Sequence, residues 1–209
     1  VLYVQRQSAK LQKICSKMLT KSWPLAHAGI KRGLVHLAVT RMPCLSPGAS
    51  VSMGRLHAGF TAVRCSLGRA GIRYLKQEGD HATPAGAFRL LAGLFRADRV
   101  PRHDWLFPVR KLQPDDGWCD DPASPLYNRP AALPCRARHE KLWREDRLYD
   151  LVIVLGYNFH PRRKYRGSAI FLHCARPDLG PTEGCIALRL DDLRRLLPRL
   201  SRKAVLTIR

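Results

Sequence analysis

Read along the chain, the apolar positions fall mostly into short strand-like runs, and helical periodicity is scarce. Gly59–Ser66 alternates apolar and polar positions with strand-forming residues, and Gly68 and Gly71 then mark a turn. Gly86–Phe95 is a second strand-rich stretch. Leu151–Leu155 is apolar throughout, which predicts a central strand buried on both faces. Ser168–His173 predicts another. A helix is expected only near the end, where Leu193, Leu196, Leu197 and Leu200 share a face and Asp191 is placed to cap it. Pro198 should kink or end that helix, and Ala204–Ile208 should close the chain as a last strand. Residues 98–146 hold Pro101, Pro108, Pro114, Pro122, Pro125, Pro130 and Pro134, a density that forbids long helices and argues for a loop-rich insertion. The expected fold is mainly β, with one short C-terminal helix and this Pro-rich insertion, over residues 49–209.

Residues 1–48 have a different texture. Lys10, Lys13, Lys17, Lys21, Lys31 and Arg32 are interspersed with apolar residues, which suggests a basic N-terminal extension. Gly33–Val39 is the best candidate for the apolar core of an export signal, but it is short, contains His36 and has no small-residue cleavage site after it. A basic arm, or a stretch preceding the natural start, is the preferred reading over a signal.

Composition narrows the class. At 209 residues and 45% hydrophobic, the chain can bury a sizeable core, which excludes wholesale disorder, collagen and coiled coil. No apolar run reaches the length of a transmembrane helix. The net charge is +21 and unevenly spread: residues 1–77 carry 13 Lys or Arg and no acid, and the first acid is Glu78. Such a balance favours anionic partners, nucleic acid among them, although no helix-turn-helix, zinc-finger or RNA-binding motif supports that reading. The seven cysteines include no C-x-x-C pair, and no histidine pair has zinc-protease spacing, so no metal site is expected.

The sharpest local feature is Thr182–Leu188, in which Cys185 follows Gly184 on entry to a strand. Such a turn can present a thiol, and its backbone N–H groups can face a developing oxyanion. His173 ends an apolar strand twelve residues earlier. A loop with two prolines and a glycine can fold back and bring the imidazole to the thiol, which needs a base to become nucleophilic. His81 is a rival base within Gly79–Phe88, where Thr83 and Pro84 read as structural. A different Cys/His peptidase or amidase is compatible with His preceding Cys in the chain, although the Gly79–Phe88 block counts against it.

Three blocks in order carry a resemblance: G-D-x-x-T-P-x-G-x-F from Gly79, the strand ending in His173, and T-x-G-C-I-x-L from Thr182. Together they resemble the YkuD-type L,D-transpeptidases over about residues 50–209. The resemblance implies a β-sandwich of mixed sheets and ping-pong acyl transfer on peptidoglycan stem peptides, without a cofactor or metal. Cys185 would be the nucleophile, His173 the base, and Gly184 with Cys185 the source of oxyanion N–H groups. Substrate contacts do not carry over from the family: Arg176 and Arg189 are candidates to grip a stem-peptide carboxylate, and Thr182 in the nucleophile turn and Asn158 after the strand at 151–155 are further candidates to reach the substrate. The inferred substrate implies a location in the periplasm or cell envelope; a monomer is expected, with no specific nucleic-acid partner and no transmembrane span. Two positions depart from the usual family pattern: Glu183 stands where a His is common, and Ala187 where an Arg is common.

Overall fold

The computed structural model describes residues 33–42, 51–101 and 105–209. The chain order is β1 (Leu34–Arg41), β2 (Met53–Ala58), β3 (Thr61–Ser66), β4 (Ile72–Arg73), β5 (Thr83–Pro84), β6 (Gly86–Phe95) and β7 (Val109–Lys111). Then follow β8 (Asp116–Cys119), β9 (Arg129–Ala132), β10 (His139–Lys141), β11 (Leu151–Leu155), β12 (Phe171–Cys174) and β13 (Ile186–Leu188). Helix α1 (Leu190–Leu196), a 3-10 turn (Leu197–Arg199) and β14 (Leu200–Ile208) complete it. The architecture is mainly β with one short C-terminal helix, as expected.

Nine strands form one mixed sheet in the order β11-β12-β13-β3-β2-β1-β14-β6-β7. The sheet closes on itself because β6 is long enough to pair twice. Its residues 86–89 pair with β14, and residues 90–95 pair with β11. The inner face holds the larger core, including Leu37, Leu56, Leu151, Ile153, Leu172, Ile186, Leu188 and Leu206, and α1 adds Leu193 and Leu196. On the outer face Val152, Val154, Phe171 and Cys185 pack against Trp118, Leu142 and Tyr149 of the intervening segment. This two-sided burial is why β11 is apolar at every position.

The Pro-rich segment holds no long helix among its described residues, as expected, and its loops frame three short strands. Its strands β10-β8-β9 make a small antiparallel sheet that carries Trp118 onto the outer face of β11 and β12. Leu34–Arg41, which the sequence reading placed in the N-terminal extension, is a strand between β14 and β2. The compact unit accordingly runs from Gly33 to Arg209. The basic residues before Gly33 lie outside the described residues.

Two local expectations shift. Gly59 and Phe60 are the turn of the β2–β3 hairpin, so that strand starts at Thr61. Arg189, not Asp191, occupies the cap position of α1, with no side-chain cap bond; Asp191 and Asp192 sit in the first turn, where the helix dipole favours carboxylates. The α-helix ends before Pro198, which enters the following 3-10 turn.

Candidate active site

Strands β12 and β13 run parallel, with Leu172 opposite Ile186 and His173 opposite Ala187. One step back along this register, Phe171 stands opposite Cys185. Alternation sends Leu172, Cys174, Ile186 and Leu188 into the inner core and turns Phe171 and Cys185 outward. His173 shares that outer face, its ring edge-to-face with Tyr149 at 5.2 Å. Cys185 and His173 are therefore diagonal neighbours on one face of adjacent strands. The strand and turn signals read from the sequence thus bring these two residues together on one face.

The thiol lies beneath the intervening segment, with Cys185 8% exposed. Its hydrogen points to the Ala169 carbonyl at 3.2 Å, and the Phe171 N–H donates to sulfur at 3.4 Å. Burial pushes the thiol up to about 12, against smaller opposing effects of the Phe171 N–H and the Lys76 charge. Burial also lowers His173 to about 4. The resting pair is therefore a neutral thiol beside a neutral imidazole. His173 Nδ1 lies 2.8 Å from the Cys174 carbonyl, so the ring proton sits on Nδ1 and Nε2 is left as the acceptor.

The turn before Cys185 is braced from two sides. Thr182 Oγ1 donates to the Cys185 carbonyl at 2.7 Å and accepts the Gly184 N–H at 3.2 Å. Thr83 Oγ1 accepts the Gly68 N–H at 2.8 Å and approaches the same Cys185 carbonyl at 3.5 Å. Gly184 has φ +131, and a Cβ there would stand 2.8 Å from the Ala82 carbonyl. A side chain would push the Gly79–Phe88 block away from the nucleophile turn. That block is thus a physical support for the turn that presents Cys185.

The remaining expected residues are dispersed. Arg176 is exposed after β12 and lines a cleft with Asp146, Leu148, Pro177 and Asp178, beside the strand that carries His173. Arg189 is exposed at the start of α1. Asn158 uses its amide within its own loop, donating to the Arg163 and Gly167 carbonyls and accepting the Arg163 N–H. His81 Nδ1 contacts the Glu183 carboxylate, which also pairs with Arg69 at the exposed rim. No group of three or more His, Cys, Asp or Glu that could hold a metal ion occurs among the described residues.

Further side chains, none of them singled out by the sequence reading, brace the elements that hold the thiol and His173. Tyr149 packs on His173 and donates its hydroxyl to Glu140, whose carboxylate is held by Arg144 at 2.9 Å. Buried Lys76 pairs with Asp80. Asn128, 2% exposed, accepts the Trp118 Nε1–H and the Ala169 N–H and donates to the Tyr157 and Asn158 carbonyls. The i,i+4 spacing of Lys76 and Asp80 is a weak signal for one of these contacts; Asn128, Glu140 and Tyr149 have none.

The L,D-transpeptidase catalytic domain (YkuD) family model matches residues 48–208. The chain belongs to this family. No curated protein and no solved structure matches it. This L,D-transpeptidase is accordingly of an enzyme family that acts on peptidoglycan, which implies an extracytoplasmic location. No helix among the described residues is long and apolar enough to cross a membrane.

Proposed function

We propose that the chain is a periplasmic or cell-envelope acyl transferase that cuts the bond between the diamino acid and the terminal D-Ala of a tetrapeptide stem, with Cys185 as nucleophile and His173 as base. The observation that carries this reading is the diagonal placement of the two side chains on one face of β12 and β13, with His173 Nδ1 tied to a backbone carbonyl.

The thiol proton passes from Sγ to His173 Nε2 as sulfur bonds to the stem carbonyl. The carbonyl oxygen becomes an oxyanion facing the N–H groups of Gly184 and Cys185, and that of Gly184 leaves Thr182 Oγ1 to receive it. Collapse breaks the C–N bond; the imidazolium returns the proton to the D-Ala amine, and a thioester remains. An amine from a second stem or a free D-amino acid then attacks the thioester, gives its proton to His173, and the sulfur leaves. Burial favours the neutral form of both groups, so the thiol must give its proton to His173 Nε2 for the sulfur to act as a nucleophile.

The test is release of D-Ala from a soluble tetrapeptide stem, followed with the intact-mass shift of a Cys185 thioester. Cys185→Ala should abolish both, and His173→Ala should slow release by about 10²–10⁴-fold. Full activity in Cys185→Ala would refute the reading.

A further inference from the structure

Of the seven large apolar side chains that stand exposed among the described residues, three gather at one rim: Tyr74 (83%), Leu75 (80%) and Tyr165 (63%). Two chain segments meet there. Arg73–Leu75 runs directly into buried Lys76, and Arg162–Arg166 runs directly into Gly167. Lys76 lies under Gly167, where a Cβ would come within 2.9 Å of Lys76 Cε, and the Glu78 N–H donates to the Tyr165 carbonyl at 2.9 Å. Between them is a cleft lined by Gln77, Glu78, Tyr165 and Arg166.

The rim is strongly positive. Arg73, Arg162, Arg163, Lys164 and Arg166 are all exposed, and no carboxylate among the described residues pairs with any of them. The nearby acids are committed elsewhere. Glu78 accepts the Tyr127 and Ser168 hydroxyls, and Asp80 accepts Lys76 and the Gln77 and Ala82 N–H groups. The rim is also continuous with the nucleophile. Gly167 leads through Ser168 to Ala169, whose carbonyl receives the Cys185 thiol.

We propose that Tyr74, Leu75, Tyr165 and the arginines at 163 and 166 form a docking platform for the polymeric substrate, the glycan strand and its neighbouring stem peptides. The inference rests on the reading of Cys185 as a stem-peptide nucleophile and adds where the rest of the polymer lies. Exposed tyrosine faces suit the apolar faces of sugar rings, with the phenol hydroxyl free to bond sugar hydroxyls. Guanidinium groups suit the carboxylates of adjacent stems. A polyanion without rings would need only the cations. A lipid surface would use the same chemistry, but the position of this rim beside the thiol favours the polymer that the thiol attacks. Binding energy from these remote contacts would hold a stem at the cleft.

The experiment uses the full chain and two double variants, Tyr74→Ser with Tyr165→Asn, and Arg163→Gln with Arg166→Gln. Asn is chosen at 165 because that residue has φ +62. Co-sedimentation with intact sacculi should weaken by about tenfold or more in each. Release of D-Ala from a soluble tetrapeptide should stay within about twofold of the parent. Parental affinity for sacculi in the tyrosine variant would overturn the platform. So would equal losses on sacculi and on the soluble peptide, which would place these residues in the chemistry itself. Loss of binding to phosphatidylglycerol vesicles with sacculus binding intact would assign the rim to a membrane and overturn it too. If the parent releases no D-Ala from the soluble peptide, the catalytic reading fails, and sacculus binding by the same variants still decides whether the rim docks polymer.

Discussion

The Thr182 hydroxyl donates to the Cys185 carbonyl three residues ahead at 2.7 Å, and accepts the N–H of the glycine between them. One side chain thereby fixes both ends of the turn that presents the thiol. Thr182→Val keeps the shape and removes both bonds. It should lower stability by about 1–2 kcal/mol and turnover by about tenfold or more, with Thr182→Ser restoring both. Melting curves and D-Ala release check this. Unchanged turnover in the valine variant would mean that the turn holds itself.

Cys185 is packed among Phe171, Tyr149 and Trp118 as a small apolar side chain. Cys185→Ala should therefore leave the near-ultraviolet circular dichroism intact and cost less than about 1.5 kcal/mol, while turnover is lost. An unfolded alanine variant would show that the sulfur is required for packing.

Iodoacetamide should alkylate Cys185 slowly at pH 7 in the free protein, because burial holds the thiol near 12. The rate, read by peptide mapping, should climb about tenfold per pH unit above neutrality. Fast, pH-independent labelling at pH 7 would show a thiolate already formed and contradict the neutral pair.

Stability should fall on both sides of neutrality. His173 titrates near 4 when folded, against 6.5 for a free imidazole. Between these values the unfolded chain binds a proton that the folded chain does not, so stability declines as pH drops from about 6.5 towards 4, by up to ~3 kcal/mol. On the alkaline side Cys65, Cys174 and Cys185 keep their protons to about 12 when folded, against 9.0. The unfolded chain loses them first, so stability falls as pH rises through 9. Calorimetric Tm from pH 4 to 10 tests both arms. His173→Gln should flatten the acid arm; an unchanged acid arm would trace it to other groups.

Asn128 ties Trp118 in the intervening segment to the Ala169 N–H, one residue whose carbonyl also holds the thiol. Asn128→Ala leaves the indole and a backbone N–H without these partners in a buried setting. A loss of about 2–4 kcal/mol is expected in denaturant unfolding, with turnover falling beyond what stability explains. A change under about 0.5 kcal/mol would show that the bonds are replaced by water.

Much of the sheet was legible because strand signals are local. Gly86–Phe95 and Leu151–Leu155 coincide with β6 and β11. Leu34–Arg41 was not, because a short apolar run flanked by basic residues reads the same whether it becomes a targeting segment or a strand. Its assignment comes from β14, which lies about 160 residues away in the chain and supplies a parallel partner. The prolines between 101 and 134 correctly excluded long helices, yet said nothing about the small sheet they frame.

The sequence by itself determined the alternation that makes the strands, the glycine turn before Cys185 and the order of the motifs, since each depends on neighbouring residues. Tertiary structure alone decided which of these meet. The parallel register of β12 and β13 sets His173 diagonal to Cys185, and the Glu140, Tyr149 and Asn128 contacts depend on how a long crossing segment folds back. Pairings across such distances are set by packing of the whole chain, and no local pattern of residue types encodes them.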